Sequence, residues 1–85
     1  MAYTIQFKPA AARQFERLPR DAQQRIATKI DGLRDQPFPA GVKKLTGLSD
    51  AWRIRVGDYR IVYQVHRKML LVLVLVIGHR REVYR

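Results

Sequence analysis

Trp52-Arg53-Ile54-Arg55-Val56-Gly57-Asp58-Tyr59-Arg60-Ile61-Val62-Tyr63 alternates apolar and basic residues on either side of a two-residue break. Gly57-Asp58 suits a type II′ hairpin turn, which prefers glycine first. Val56 then stands opposite Tyr59, Arg55 opposite Arg60, and Arg53 opposite Val62. Trp52, Ile54, Tyr59, Ile61 and Tyr63 share one face and read as core, while Arg53, Arg55 and Arg60 share the other. Like charges directly opposite across two strands destabilise by up to about 1 kcal/mol. An anion that compensates them, phosphate above all, explains why the pair is present.

Outward from this hairpin, Met69 to Ile77 is a continuous apolar run, as expected of a central strand covered on both faces. A two-residue turn at Arg67-Lys68 places it beside Tyr59 to His66, with Leu75 opposite Arg60. Leu71, Leu73, Leu75 and Ile77 then join the arginine face, making it partly apolar. Straight extrapolation adds His79, although Gly78 can bend the strand and reset the alternation. On the amino-terminal side, Lys43 to Leu48 reads as a weak edge strand. The loop Gln36-Pro37-Phe38-Pro39-Ala40-Gly41 separates helices from sheet.

Tyr3, Ile5 and Phe7 alternate with polar residues as a first strand ended by Pro9. Ala11, Phe15 and Leu18 mark a short amphipathic helix from about Ala10 to Leu18, and Pro19 stops it. Ala22, Ile26, Ile30 and Leu33 mark a second, from Arg20 to Arg34, whose Asp21 suits the positive end of its dipole. The expected fold is α+β: an N-terminal strand, then a two-helix hairpin packed on one face of a mostly antiparallel sheet of about four strands. Residues 1–85 form a single domain.

The chain has 17 Lys and Arg against 7 Asp and Glu, a formal charge of +10. From Lys43 onward 10 basic and 3 acidic residues give +7, whereas the first 42 residues carry 7 and 4, or +3. This asymmetry points to a polyanion bound by the second half, with Lys43 and Lys44 extending the phosphate track. The helix charges, such as Asp21 with Arg25, pair at helical spacing as an ordinary solvated face. There are no cysteines and two histidines, His66 and His79, with no carboxylate cluster near either. No metal or cofactor is expected. The amino terminus lacks a signal-peptide h-region and Met69 to Ile77 is too short to span a bilayer, so a soluble cytoplasmic protein is expected.

The carboxyl end, Gly78-His79-Arg80-Arg81-Glu82-Val83-Tyr84-Arg85, adds further cations and two groups able to move protons, His79 and Tyr84. Cations hold a scissile phosphate and stabilise a pentacovalent transition state. RNA brings its own nucleophile, the 2′-hydroxyl, so positioning and acid–base help are enough to cleave it.

Lys44-Leu45-Thr46-Gly47-Leu48, Trp52-Arg53-Ile54-Arg55, Gly57-Asp58-Tyr59-Arg60-Ile61-Val62-Tyr63 and His79-Arg80-Arg81-Glu82-Val83-Tyr84, after a helical hairpin broken at Leu18-Pro19, resemble the RelE/ParE superfamily of bacterial toxin–antitoxin toxins, and its RelE branch in particular. The resemblance implies an endoribonuclease that cuts mRNA in the ribosomal A site. It also implies a cognate antitoxin that holds the toxin inactive, with operator DNA reached only through that complex. It makes Arg60 the phosphate-binding arginine, Arg80 the arginine acting on the transition state or leaving group, and Tyr84 the tyrosine near the carboxyl end. Arg53 and Arg55 fall where well-studied members have lysines. Arginine does not give up its proton, which leaves Arg53, Arg55 and Arg81 as phosphate ligands and turns the choice of base to His79, with Tyr84 second. The alternatives are a ParE-like DNA gyrase inhibitor without RNase activity and a passive RNA-binding module.

Overall fold

Strand β1 (Thr4–Phe7) opens the chain, and Pro9 at the first helical position starts α1 (Pro9–Glu16). Leu18-Pro19 turns the chain into α2 (Arg20–Gly32), whose Ala22, Ile26 and Ile30, with Leu33 just beyond, are buried as their spacing requires. Strands β2 (Lys43–Lys44), β3 (Ala51–Val56), β4 (Tyr59–His66) and β5 (Leu71–His79) follow. This computed structural model describes residues 2–79. The five strands form one sheet in the order β1-β5-β4-β3-β2. The β1–β5 pair is parallel and the other pairs are antiparallel. Both short outer strands join the sheet, so it has five strands where about four were expected.

The helices cover one face of the sheet. Ala11, Ile26, Ile30 and Leu33 pack with Ile54, Ile61, Tyr63, Val65, Val72, Val74 and Ile77 into a single core. Trp52 and Tyr59 pack at its margin, as their parity predicts. Tyr63 is fully buried, and its hydroxyl donates to the Pro37 carbonyl at 2.7 Å, fastening the proline loop beneath the sheet. Burial pushes the Tyr63 phenol well above its ordinary value.

The Gly57-Asp58 turn is as expected: Gly57 has φ +58, Asp58 is not left-handed, and Arg55 faces Arg60. The β4–β5 connection is not. In place of a two-residue turn, Arg67–Met69 forms a 3₁₀ turn and Leu70 takes a left-handed conformation at φ +50. Its two extra residues preserve parity, so Leu71 and Leu73 lie on the arginine face opposite His66 and Gln64. A bulge at Leu75 then breaks parity: Val74 pairs with Tyr63, Val76 with Val62. Beyond it Gly78 stands opposite Arg60, and Ile77, opposite Ile61, turns to the core. The placement of Leu75 opposite Arg60 and of Ile77 on the arginine face is thereby corrected. Cover on both faces of β5 holds on the helix side only, since Leu71, Leu73 and Leu75 stay half-buried.

Candidate nucleic-acid interface

On the face away from the helices, a cavity of about 290 Å³ is lined by Gly41, Lys43, Arg53, Arg55 and Arg60. Each charged lining residue is placed by strand register. Arg53 and Arg55 come from β3, Arg60 from β4 opposite Arg55, and Lys43 from β2 opposite Arg53. Arg60 is the most enclosed of them, 8% exposed, whereas Arg55 is exposed and donates its Nε–H to the Gly57 carbonyl at 3.3 Å. Gly78, opposite Arg60, adds no side chain on that face. Four cations around one concavity attract a polyanion and present donors for several phosphate oxygens.

The loop that delivers Lys43 is held by a cluster at the far end of the hairpin. Asp50, left-handed at φ +46, accepts Arg67 Nε–H at 2.8 Å, Arg67 Nη2–H at 3.1 Å and the Trp52 indole N–H at 2.9 Å. The Arg67 guanidinium lies 4.7 Å from the Phe38 ring centre, and Phe38 meets Trp52 edge-on at 5.0 Å. Hydrogen bonds from Arg67 first, then from Trp52, hold the Asp50 carboxyl below its ordinary value against the opposing effect of burial.

Two expected site residues lie elsewhere. Lys44 pairs with Trp52, on the side of the sheet opposite Lys43, and its Nζ sits 5.8 Å from the Trp52 ring. Single-residue alternation in β2 separates the two lysines. His79 pairs with Tyr59 and meets its ring edge-on at 5.9 Å, on the helix side. It borders a second cavity of about 470 Å³ with Gln14, Arg17, Leu18, Pro19, Tyr59, Ile77 and Gly78. The bulge at Leu75 reverses the face that straight extrapolation assigned to His79. Arg80, Arg81 and Tyr84 lie outside the described residues.

Gly41, left-handed at φ +87, was not anticipated as a lining residue. Gln14 was also missed. It sits three residues after Ala11 and four before Leu18, on the apolar stripe of α1, and a polar residue at such a position is the available signal. No group of three or more His, Cys, Asp or Glu able to hold a metal occurs among the described residues.

A family model described as the ParE toxin of the type II toxin–antitoxin system parDE matches residues 5–84. The mRNA interferase toxin RelE of Escherichia coli K12 is 30% identical over 88 residues, covering 99% of this chain and 92% of the relative. The chain belongs to the RelE/ParE superfamily of toxins. Toxin RelG of Mycobacterium tuberculosis is 28% identical over 86 residues, covering 100% of this chain and 99% of that one. Among solved structures, isolated Escherichia coli RelE superposes with TM-score 0.82 at 29% identity, covering 98% of this chain and 92% of that one. The toxin of the archaeal RelE–RelB complex from Pyrococcus horikoshii gives 0.83 at 29%, covering 94% and 97%. This superfamily member therefore has the RelE fold, helices on one side of the sheet and the basic cavity on the other.

Proposed function

We propose that this toxin is a RelE-type endoribonuclease that binds mRNA in the ribosomal A site across the cavity of Lys43, Arg53, Arg55 and Arg60. The cavity itself is the observation that carries the reading: register brings these four cations onto one concave face. Lys43, Arg53 and Arg55 hold the phosphates flanking the cut. Arg60, the most enclosed of the four, binds the scissile phosphate and gains most as charge builds on its oxygens in the pentacovalent transition state. The 2′-oxygen attacks phosphorus and the bond from phosphorus to the 5′-oxygen breaks, giving a 2′,3′-cyclic phosphate and a 5′-hydroxyl end. The nucleophile comes from the substrate, so the protein supplies positioning, charge and proton transfer. Arg80 serves the leaving group and Tyr84 the proton transfer. His79, on the helix side, is withdrawn as the base.

A cognate antitoxin with an acidic amphipathic segment is the proposed partner. The charge of +10 favours it, and relatives have been solved as RelBE and RelE–RelB complexes. No helix among the described residues is long and apolar enough to cross a membrane. Action in the cytoplasm, where ribosomes are, belongs to the same proposal.

The test is 5′-end sequencing of message on programmed ribosomes incubated with the native chain, Arg60→Ala and Arg80→Ala. A codon-positioned cut bearing a 5′-hydroxyl, lost in both variants, is expected. The description of the matching family as a ParE toxin favours gyrase inhibition as the second reading. Intact message together with inhibited supercoiling would establish it instead.

A further inference from the structure

We propose that Gln14 is a positioning residue that holds the end of β5 in register with Arg60; its effect on cleavage rests on the endonuclease reading. The parallel ladder stops early. β1 ends at Phe7 opposite Val74, and Lys8 N–H donates to the Val74 carbonyl at 2.9 Å. Beyond that point β5 continues to His79 with, among the described residues, β4 as its strand partner along one edge only. On the other edge Gln14 Oε1 accepts the Ile77 N–H at 2.7 Å in a partly buried contact between residues 63 apart.

An antiparallel ladder alternates residues that bond to the partner strand with residues whose polar groups point away. Ile77 directs its N–H to α1, so the next position, Gly78, bonds to Arg60 across the ladder. The bulge at Leu75 interrupts the ladder just before this point, and Gly78 adds backbone freedom. The segment carrying the partner of Arg60 therefore has a bulge on its β4 side and no β1 partner on the other, and Gln14 is its anchor on that edge. The anchor is itself held, since Gln23 Nε2 donates to the carbonyls of Phe15 at 2.9 Å and Glu16 at 3.3 Å, tying α2 to the end of α1.

The full chain is compared with Gln14→Leu, which removes the acceptor, Gln14→Asn, which withdraws it by one methylene, and Gln14→Glu, which keeps it. Amide exchange is read at Arg60, Gly78, Val65 and Val72, and single-turnover cleavage on programmed ribosomes. Leu and Asn variants are expected to exchange faster at Arg60 and Gly78 with Val65 and Val72 unchanged. Their cleavage rate at saturation should fall about tenfold, the scale of small misplacements, at unchanged half-saturating concentration, and Glu should restore both. Unchanged exchange at Arg60 and Gly78, equal acceleration at all four amides, or faster local exchange with native cleavage would each overturn the proposal. If Gln14→Leu does not fold, Asn against Glu decides it by the same readouts. If the native chain cuts no message, the endonuclease reading fails, and exchange alone decides whether Gln14 holds Arg60 and Gly78 in register.

Discussion

Arg55 and Arg60 stand directly opposite one another on β3 and β4, on the face that carries no helices. Two guanidinium groups in one cross-strand pair stabilise a bound anion at the expense of the empty protein. Arg55→Thr is expected to raise unfolding free energy by up to about 1 kcal/mol. It should at the same time weaken binding of an RNA oligonucleotide. Urea unfolding and a filter-binding titration on one preparation check both signs.

The four cations of the cavity predict a steep salt dependence. With four phosphates neutralised, the slope of log K against log salt for single-stranded RNA is expected near about −3, and each cation removed should reduce it by about 0.7. Lys44→Ala should leave it almost unchanged, because that lysine lies over Trp52 on the other side of the sheet. Fluorescence anisotropy across a salt series measures the slope.

Tyr63→Phe removes the hydroxyl that reaches Pro37 and strands a buried carbonyl. The expected cost is about 1–3 kcal/mol. Chemical unfolding gives the loss directly, with the slope of the transition unchanged.

Asp50 predicts an acid limb. Its carboxyl titrates below the ordinary carboxylate value in the folded chain because Arg67 and Trp52 donate to the ionised form. The unfolded chain therefore binds the proton first as pH falls. Stability from this contact is complete above the ordinary carboxylate value and lost as pH drops through the lowered folded one. Asp50→Asn should flatten that part of the stability profile, and urea midpoints across the range will show it.

Gly57→Ala places a side chain at φ +58, with its Cβ 3.3 Å from Arg25 Nη1. The left-handed backbone sets the penalty at about 1–2 kcal/mol, since the arginine can swing away. Thermal unfolding of this variant checks it.

The hairpin was legible in the sequence because alternation and a glycine-first turn are local, and Trp52, Arg53, Ile54, Arg55, Arg60 and Tyr63 all took their expected faces. The helix stripe at Ala22, Ile26, Ile30 and Leu33 was legible for the same reason. The β4–β5 register was not. An unbroken apolar run such as Met69 to Ile77 carries no alternation from which a bulge at Leu75 shows. Lys44 is not separable from Lys43 in the sequence, because a two-residue strand gives no pattern by which to assign faces. Gln14 carries a signal only once the helix is known to lie against the open edge of β5.

The extra residue at Leu75 decides which side chains the end of β5 offers to each face of the sheet. Deleting it would leave Val76, Ile77 and His79 opposite Val62, Ile61 and Tyr59, whereas a bulge-free strand of the present length would carry Ile77 to the basic face and bring His79 round beside the arginines. The same residues, with and without the bulge, would present different chemistry on one scaffold.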